Sequence, residues 1–155
     1  MENTKSTRRE FCVHAITLVG VASLVESCGG GGSPTGPSSN APDLPVISNG
    51  TVANGRLTLT IDASSPLNNV GSAAFVNAGG QRLLVAHPGV DTFSAVTAIC
   101  THEGCDVTKY QNGTYVCPCH GSEYSTSGAV TKGPATRSLS SFPTQFTNSV
   151  LTITL

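Results

Sequence analysis

Two short boxes constrain this chain more than any other feature: CTHEGC at residues 100–105 and CPCHGSEY at residues 117–124. They hold Cys100, Cys105, Cys117 and Cys119 together with His102 and His120, while Cys12 and Cys28 stand far upstream in a segment of different composition. Six cysteines in a small exported chain would ordinarily be three disulfides, but position divides these six into a two and a four. Within the boxes the spacing is that of ligands, Cys100-x-His102 and Cys117-x-x-His120. Two thiolates and two imidazoles could make a tetrahedral zinc site. Zinc fingers, however, usually pair Cys with Cys and His with His in separate halves, and here each half is mixed.

The mixed arrangement resembles the Rieske iron-sulfur family, with both boxes in order and at near-standard separation. The resemblance implies one 2Fe-2S cluster, with Cys100 and Cys117 on one iron and His102 and His120 on the other. It also implies a disulfide between Cys105 and Cys119. Low-potential Rieske ferredoxins and ring-hydroxylating oxygenases lack that pair, so its presence points to the high-potential branch of quinol-oxidising and periplasmic carriers. Neutral imidazoles in place of two thiolates make the cluster less negative and raise its potential into the range of about -150 to +300 mV. Ser122 and Tyr124 occupy the positions from which, in high-potential members, hydroxyls reach a bridging sulfide and a cysteine sulfur; such hydrogen bonds favour the reduced state. Gly133-Pro134 in KGPATRSL resembles the proline-containing loop that covers the cluster from a third side. Gly104 and Gly121 fit positions where the backbone turns sharply. His14 and His87 have no partner at ligand spacing and read as structural or incidental.

Glu103 departs from the family pattern, in which respiratory-complex members carry a leucine that shields the site where the quinol pocket docks. A carboxylate about 8 Å from the cluster is worth roughly 2 kcal/mol at an effective dielectric of about 20, and less when solvated. That lowers the potential and makes docking into an apolar pocket harder.

The N-terminus reads as an address and a tether. STRREF at residues 6–11 precedes an apolar run from Cys12 to Val25, the pattern of a signal peptide, and Arg8-Arg9 resembles a twin-arginine export signal. The run is shorter than the roughly 20 residues that span a bilayer. Val25-Glu26-Ser27-Cys28 looks like a lipobox, which makes Cys28 the candidate lipidation site. GGGGSPTGPSSNAP follows it, a linker composition unable to bury enough surface to fold. The expected organisation is a signal peptide at 1–27, a linker at 28–42 and a Rieske domain at 43–155, with the cluster-binding part at about 98–137. A persistent disulfide agrees with an exported, extracytoplasmic location.

Net charge is -1 with 11% charged residues, which supports neither a nucleic-acid face nor a polybasic membrane patch. Alternating valine, threonine and isoleucine runs with many turn residues predict an all-β domain of small stacked antiparallel sheets. Four hairpins are expected: TVANGRLTLTID around Asn54-Gly55, SAAFVNAGGQRLLVAH around Ala78-Gly79-Gly80, KYQNGTYVC around Asn112-Gly113, and TQFTNSVLTITL.

The function implied is one-electron transfer by a subunit of an oxidoreductase complex, from quinol or a redox enzyme to a c-type cytochrome. Partners would be a membrane quinol-oxidising complex or, alternatively, a periplasmic molybdenum oxidase resembling arsenite oxidase. Exposed imidazoles on iron would couple electron uptake to proton uptake. A zinc-binding or disulfide-stapled module is the rival class. The chain has no room for the catalytic domain of an oxygenase.

Overall fold

The computed structural model describes residues 40–155, and the signal, lipobox and most of the linker, with Cys12 and Cys28, lie outside the described residues. After a two-residue strand β1 (Val46–Ile47) comes the hairpin of β2 (Thr51–Ala53) and β3 (Arg56–Thr60). β4 (Ala73–Ala78) and β5 (Gln81–Gly89) make the second hairpin, and β6 (Thr92–Thr97) continues it. β7 (Lys109–Gln111), β8 (Thr114–Val116), β9 (Glu123–Ser125) and β10 (Val130–Lys132) follow as a meander. The chain closes with β11 (Ser141–Phe142) and the hairpin of β12 (Thr144–Thr147) and β13 (Val150–Thr154). Among the described residues there is no helix.

All four expected hairpins are present, and each turns on two residues with positive φ: Asn54-Gly55, Gly79-Gly80, Asn112-Gly113 and Asn148-Ser149. That is the type I′ geometry whose twist matches flanking antiparallel strands. Ser149, at φ 61°, holds a position that glycine fills in the other three.

The strands form three sheets, ordered β1-β4-β5-β6-β11, β10-β9-β8-β7 and β12-β13-β3-β2. The five-stranded sheet is the middle layer. Phe75, Leu84, Ala86 and Val96 on one face pack with Tyr115, Tyr124, Cys100 and Cys117 of the β7–β10 region. On the other face Val76, Leu83, Val85 and Ala95 pack with Leu57, Leu59, Leu151 and Ile153 of the third sheet. Side chains alternate along a strand, so a sheet buried on both faces needs apolar residues at consecutive positions. Leu83 to Ala86 is such a run, with every member at most 1% exposed. The third sheet has one wet face and alternates accordingly, with Leu57 and Leu59 buried between exposed Arg56 and Thr60. Truncating Leu84 or Leu151 to alanine would cost about 2–5 kcal/mol in transfer and cavity terms.

One pairing departs from the antiparallel expectation. β1 runs parallel to β4, with Val46 opposite Phe75 and Ile47 opposite Val76. The reason is connectivity: the β2–β3 hairpin belongs to another sheet, so the chain between β1 and β4 serves as the crossover that a parallel pair requires.

Candidate metal centre

The middle sheet delivers the chain from β6 directly into the first box, and the second box is the connection between β8 and β9. At the base of the first box Ile99 bridges Asp106, and Val107 N–H donates to Ala98 C=O at 2.8 Å. Arg82 of β5 reaches over to Asp106 with one guanidinium nitrogen at 2.8 and 3.0 Å from its two oxygens.

The two boxes have the same backbone path. Cys100 N–H donates to Cys105 C=O and Gly104 N–H to Cys100 C=O, at 2.8 and 2.9 Å. In the second box Cys117 N–H donates to Ser122 C=O and Gly121 N–H to Cys117 C=O, at 2.9 and 3.0 Å. The offsets are identical. Gly104 and Gly121 sit at φ 75° and 74°, a left-handed conformation that side chains with a Cβ disfavour. The sulfurs are treated alike too: Cys100 takes backbone hydrogen bonds from His102 and Glu103, and Cys117 from Cys119 and His120.

A disulfide joins Cys105 to Cys119 across the two loops. Cys100 and Cys117 lie outside the disulfide and are buried, 3% and 1% exposed. Burial pushes the Cys100 thiol up, but the Tyr124 hydroxyl, the His102 N–H and the Cys117 thiol outweigh it and hold Cys100 below the ordinary range. For Cys117, burial and the neighbouring Cys100 push the thiol up to about 11. Tyr124 is raised by burial first and then by its bond to Cys100.

His102 and His120 stand at the rim with ring centroids 4.9 Å apart, nearly perpendicular. His102 Nδ1 is buried and has no hydrogen-bond partner. Such an orphan nitrogen is costly unless a ligand occupies it. Two buried sulfurs side by side and two imidazoles, one with an orphaned inward nitrogen, are therefore a donor set that fits a metal group with two thiolate and two imidazole ligands.

Around this set stand the expected hydroxyls. Tyr124 OH lies 3.2 Å from Cys100 Sγ, and Ser122 is fully buried with its Oγ accepting from Ala135 N–H at 3.0 Å. That bond also ties in the segment after Gly133-Pro134, the expected third wall. Glu103 presents its carboxylate to both rings, 3.9 Å from His102 Nε2 and 3.7 Å from His120 Nδ1, with its side chain 60% exposed. His87 is remote from the site: its Nδ1 meets Leu67 C=O at 2.9 Å and its ring stacks on Phe93. Sequence reasoning missed Thr101 and the Arg82–Asp106 pair. Thr101 lies inside the first box but outside the ligand pattern, and Arg82 lies 24 residues from its partner.

The sequence profile of the Rieske [2Fe-2S] domain matches residues 59–143, which take in both boxes. The chain belongs to the Rieske family. A Rieske domain carries one 2Fe-2S cluster, with two histidines in place of two cysteines on one iron, and transfers electrons. Similar proteins include the "Cytochrome b6-f complex iron-sulfur subunit" of Prochlorococcus marinus strain AS9601, 36% identical over 91 residues, covering 50% of this chain and 51% of the relative. The subunit of the same name from strain NATL1A is 35% identical over 113 residues, 72% of this chain and 57% of that one. The Rieske chain thus spans about half the length of the curated relatives it matches. Among solved structures, a complex of reduced oxygenase and oxidized ferredoxin in carbazole 1,9a-dioxygenase gives a TM-score of 0.51 at 25% identity, over 63% of this chain and 92% of that one. The plasma membrane Rieske protein PetC3 from Synechocystis PCC 6803 is 32% identical, with a TM-score of 0.47 and coverage of 65% and 87%. The all-β expectation and the 2Fe-2S expectation both hold.

Proposed function

We propose that this Rieske domain is an exported one-electron carrier, taking electrons from quinol or a redox enzyme and passing them to a c-type cytochrome. In this reading Cys100 and Cys117 hold one iron and His102 and His120 the other. The cluster, when bound, supplies a site that accepts and returns a single electron. The protein's residues do the rest. Cys100 and Cys117 are buried, whereas the His102 and His120 side chains are 26% and 43% exposed, so the imidazole side is the face a partner can approach. Tyr124 donates toward Cys100 Sγ, and a donor on a ligand sulfur favours the state with more negative charge. Ser122 has its Oγ fixed by Ala135 N–H, which leaves its own proton to aim inward.

The observation that carries this reading is the orphaned, buried Nδ1 of His102, in the same box as the buried Cys100 and across from the box that holds the buried Cys117. The relatives named as subunits of the cytochrome b6-f complex support a membrane quinol-oxidising partner. Glu103 favours a second reading, the small subunit of a periplasmic molybdenum oxidase, because its exposed carboxylate makes the rim polar where an apolar quinol pocket would close. The N-terminal residues 1–27 would direct export, and Cys28 would carry a lipid at the head of the linker.

The test is to purify the protein from its native membranes under mild conditions. The reading requires a visible iron-sulfur spectrum, a reduced-state EPR signal lost in His102→Ala, and a co-purifying b-type cytochrome or molybdenum protein that tells the two partners apart. Zinc in place of iron would refute it. Cys28→Ala should release the protein from membranes; retention would refute the lipid tether.

A further inference from the structure

Resting on the reading of Tyr124 as a donor to a cluster ligand, we infer that Thr101 competes for the proton of Tyr124 and so sets the strength of that bond. Tyr124 OH touches three groups: Cys100 Sγ at 3.2 Å, Thr101 Oγ1 at 3.1 Å and Thr101 N–H at 3.3 Å. The amide can only donate, so it fills a lone pair of the tyrosine oxygen. The tyrosine has one proton and faces two oxygen or sulfur acceptors.

Thr101 is fixed as an acceptor by its other contact. Its Oγ1–H donates to Arg137 C=O, an acceptor-only group, across 36 residues of sequence. With its proton committed there, Thr101 Oγ1 turns lone pairs toward Tyr124. The separation of 3.1 Å is long against the usual 2.7–2.8 Å of an O–H···O bond, as befits a proton shared with the sulfur. The Arg137 carbonyl therefore acts on Tyr124 without touching it, by aiming one threonine hydroxyl. With a cluster bound, added negative charge on Cys100 Sγ would turn the Tyr124 O–H toward that sulfur and away from Thr101 Oγ1; no covalent bond breaks.

The test is a midpoint-potential measurement on the cluster-loaded full chain for Thr101→Val, Thr101→Ser and Tyr124→Phe, singly and with Thr101→Val combined with Tyr124→Phe. Thr101→Val should raise the potential, because the proton then goes wholly to sulfur. Thr101→Ser should match the parent, and Thr101→Val should have no effect once Tyr124 is phenylalanine. A lowered or unmoved potential in Thr101→Val, or the same shift with and without Tyr124, overturns the inference while the EPR signal leaves the cluster reading standing. Absence of that signal from the parent overturns both. If Thr101→Val does not assemble, the parent protein with isotope-labelled tyrosine decides by difference infrared spectroscopy. A tyrosine C–O band that moves on reduction supports the shared proton, and one that stays fixed refutes it.

Discussion

Replacing Cys105 or Cys119 by serine opens the covalent link between the two loops, and the size of the loss follows from chain length. The cysteines are 14 residues apart. Closing a loop of about 15 residues removes unfolded-chain entropy worth about 3 kcal/mol at 25 °C. The cluster cannot substitute for this, because metal binding needs the folded site and leaves the unfolded chain unconstrained. With a urea slope of about 2 kcal/mol per molar, the unfolding midpoint should fall by about 1.5 M. Titrations without reductant, followed by backbone circular dichroism and by visible absorbance of the cluster, measure it. One bond is lost in Cys105→Ser, in Cys119→Ser and in the double variant alike, so all three should fall together. The reasoning fails if the midpoint stays within about 0.3 M of the parent, or if the double variant loses twice as much as either single one.

Glu103→Gln should raise the midpoint potential, since a carboxylate near both rim imidazoles opposes an added electron. Discounted for its exposure, the effect is about 1 kcal/mol, or about 40 mV, and an unmoved potential would show that solvent screens it fully. In protein stripped of metal, Cys100 should be alkylated before Cys117 as pH rises, because the first thiol lies below its ordinary range and the second is pushed up to about 11. Peptide mass spectrometry after a short iodoacetamide pulse reads the order, and Cys117 leading would contradict it. Ser149→Gly should stabilise the domain by about 0.5–1 kcal/mol by relieving a left-handed serine in a type I′ turn. A lowered thermal midpoint would mean that Ser149 makes compensating contacts.

The sequence made the hairpins readable because turn chemistry is local. Asn54-Gly55 and Asn112-Gly113 name their own geometry, and even Asn148-Ser149 was bracketed by alternating strands. The boxes were readable because four cysteines and two histidines in 21 positions leave few arrangements. Layer order was not: that Leu83 and Leu84 face different sheets follows from packing between segments far apart in the chain. The parallel β1–β4 pair escaped notice because two residues carry no pattern. Thr101 escaped because its importance depends on Arg137 C=O, a backbone group that every residue possesses.

The shared path of the two boxes has a consequence for what can vary. A single turn template is used twice, and its two copies differ through the substituents hung on it: His102 stands at the third place of one, His120 at the fourth place of the other. The template tolerates exchange of side chains but no change in its count of residues. An insertion within 100–105 or 117–122 would shift a donor off its sulfur, whereas the 106–116 connector could gain a pair of residues at the Asn112-Gly113 tip and return both copies in register. Natural and engineered length variation in this domain should therefore collect at that hairpin tip and stop at the template edges.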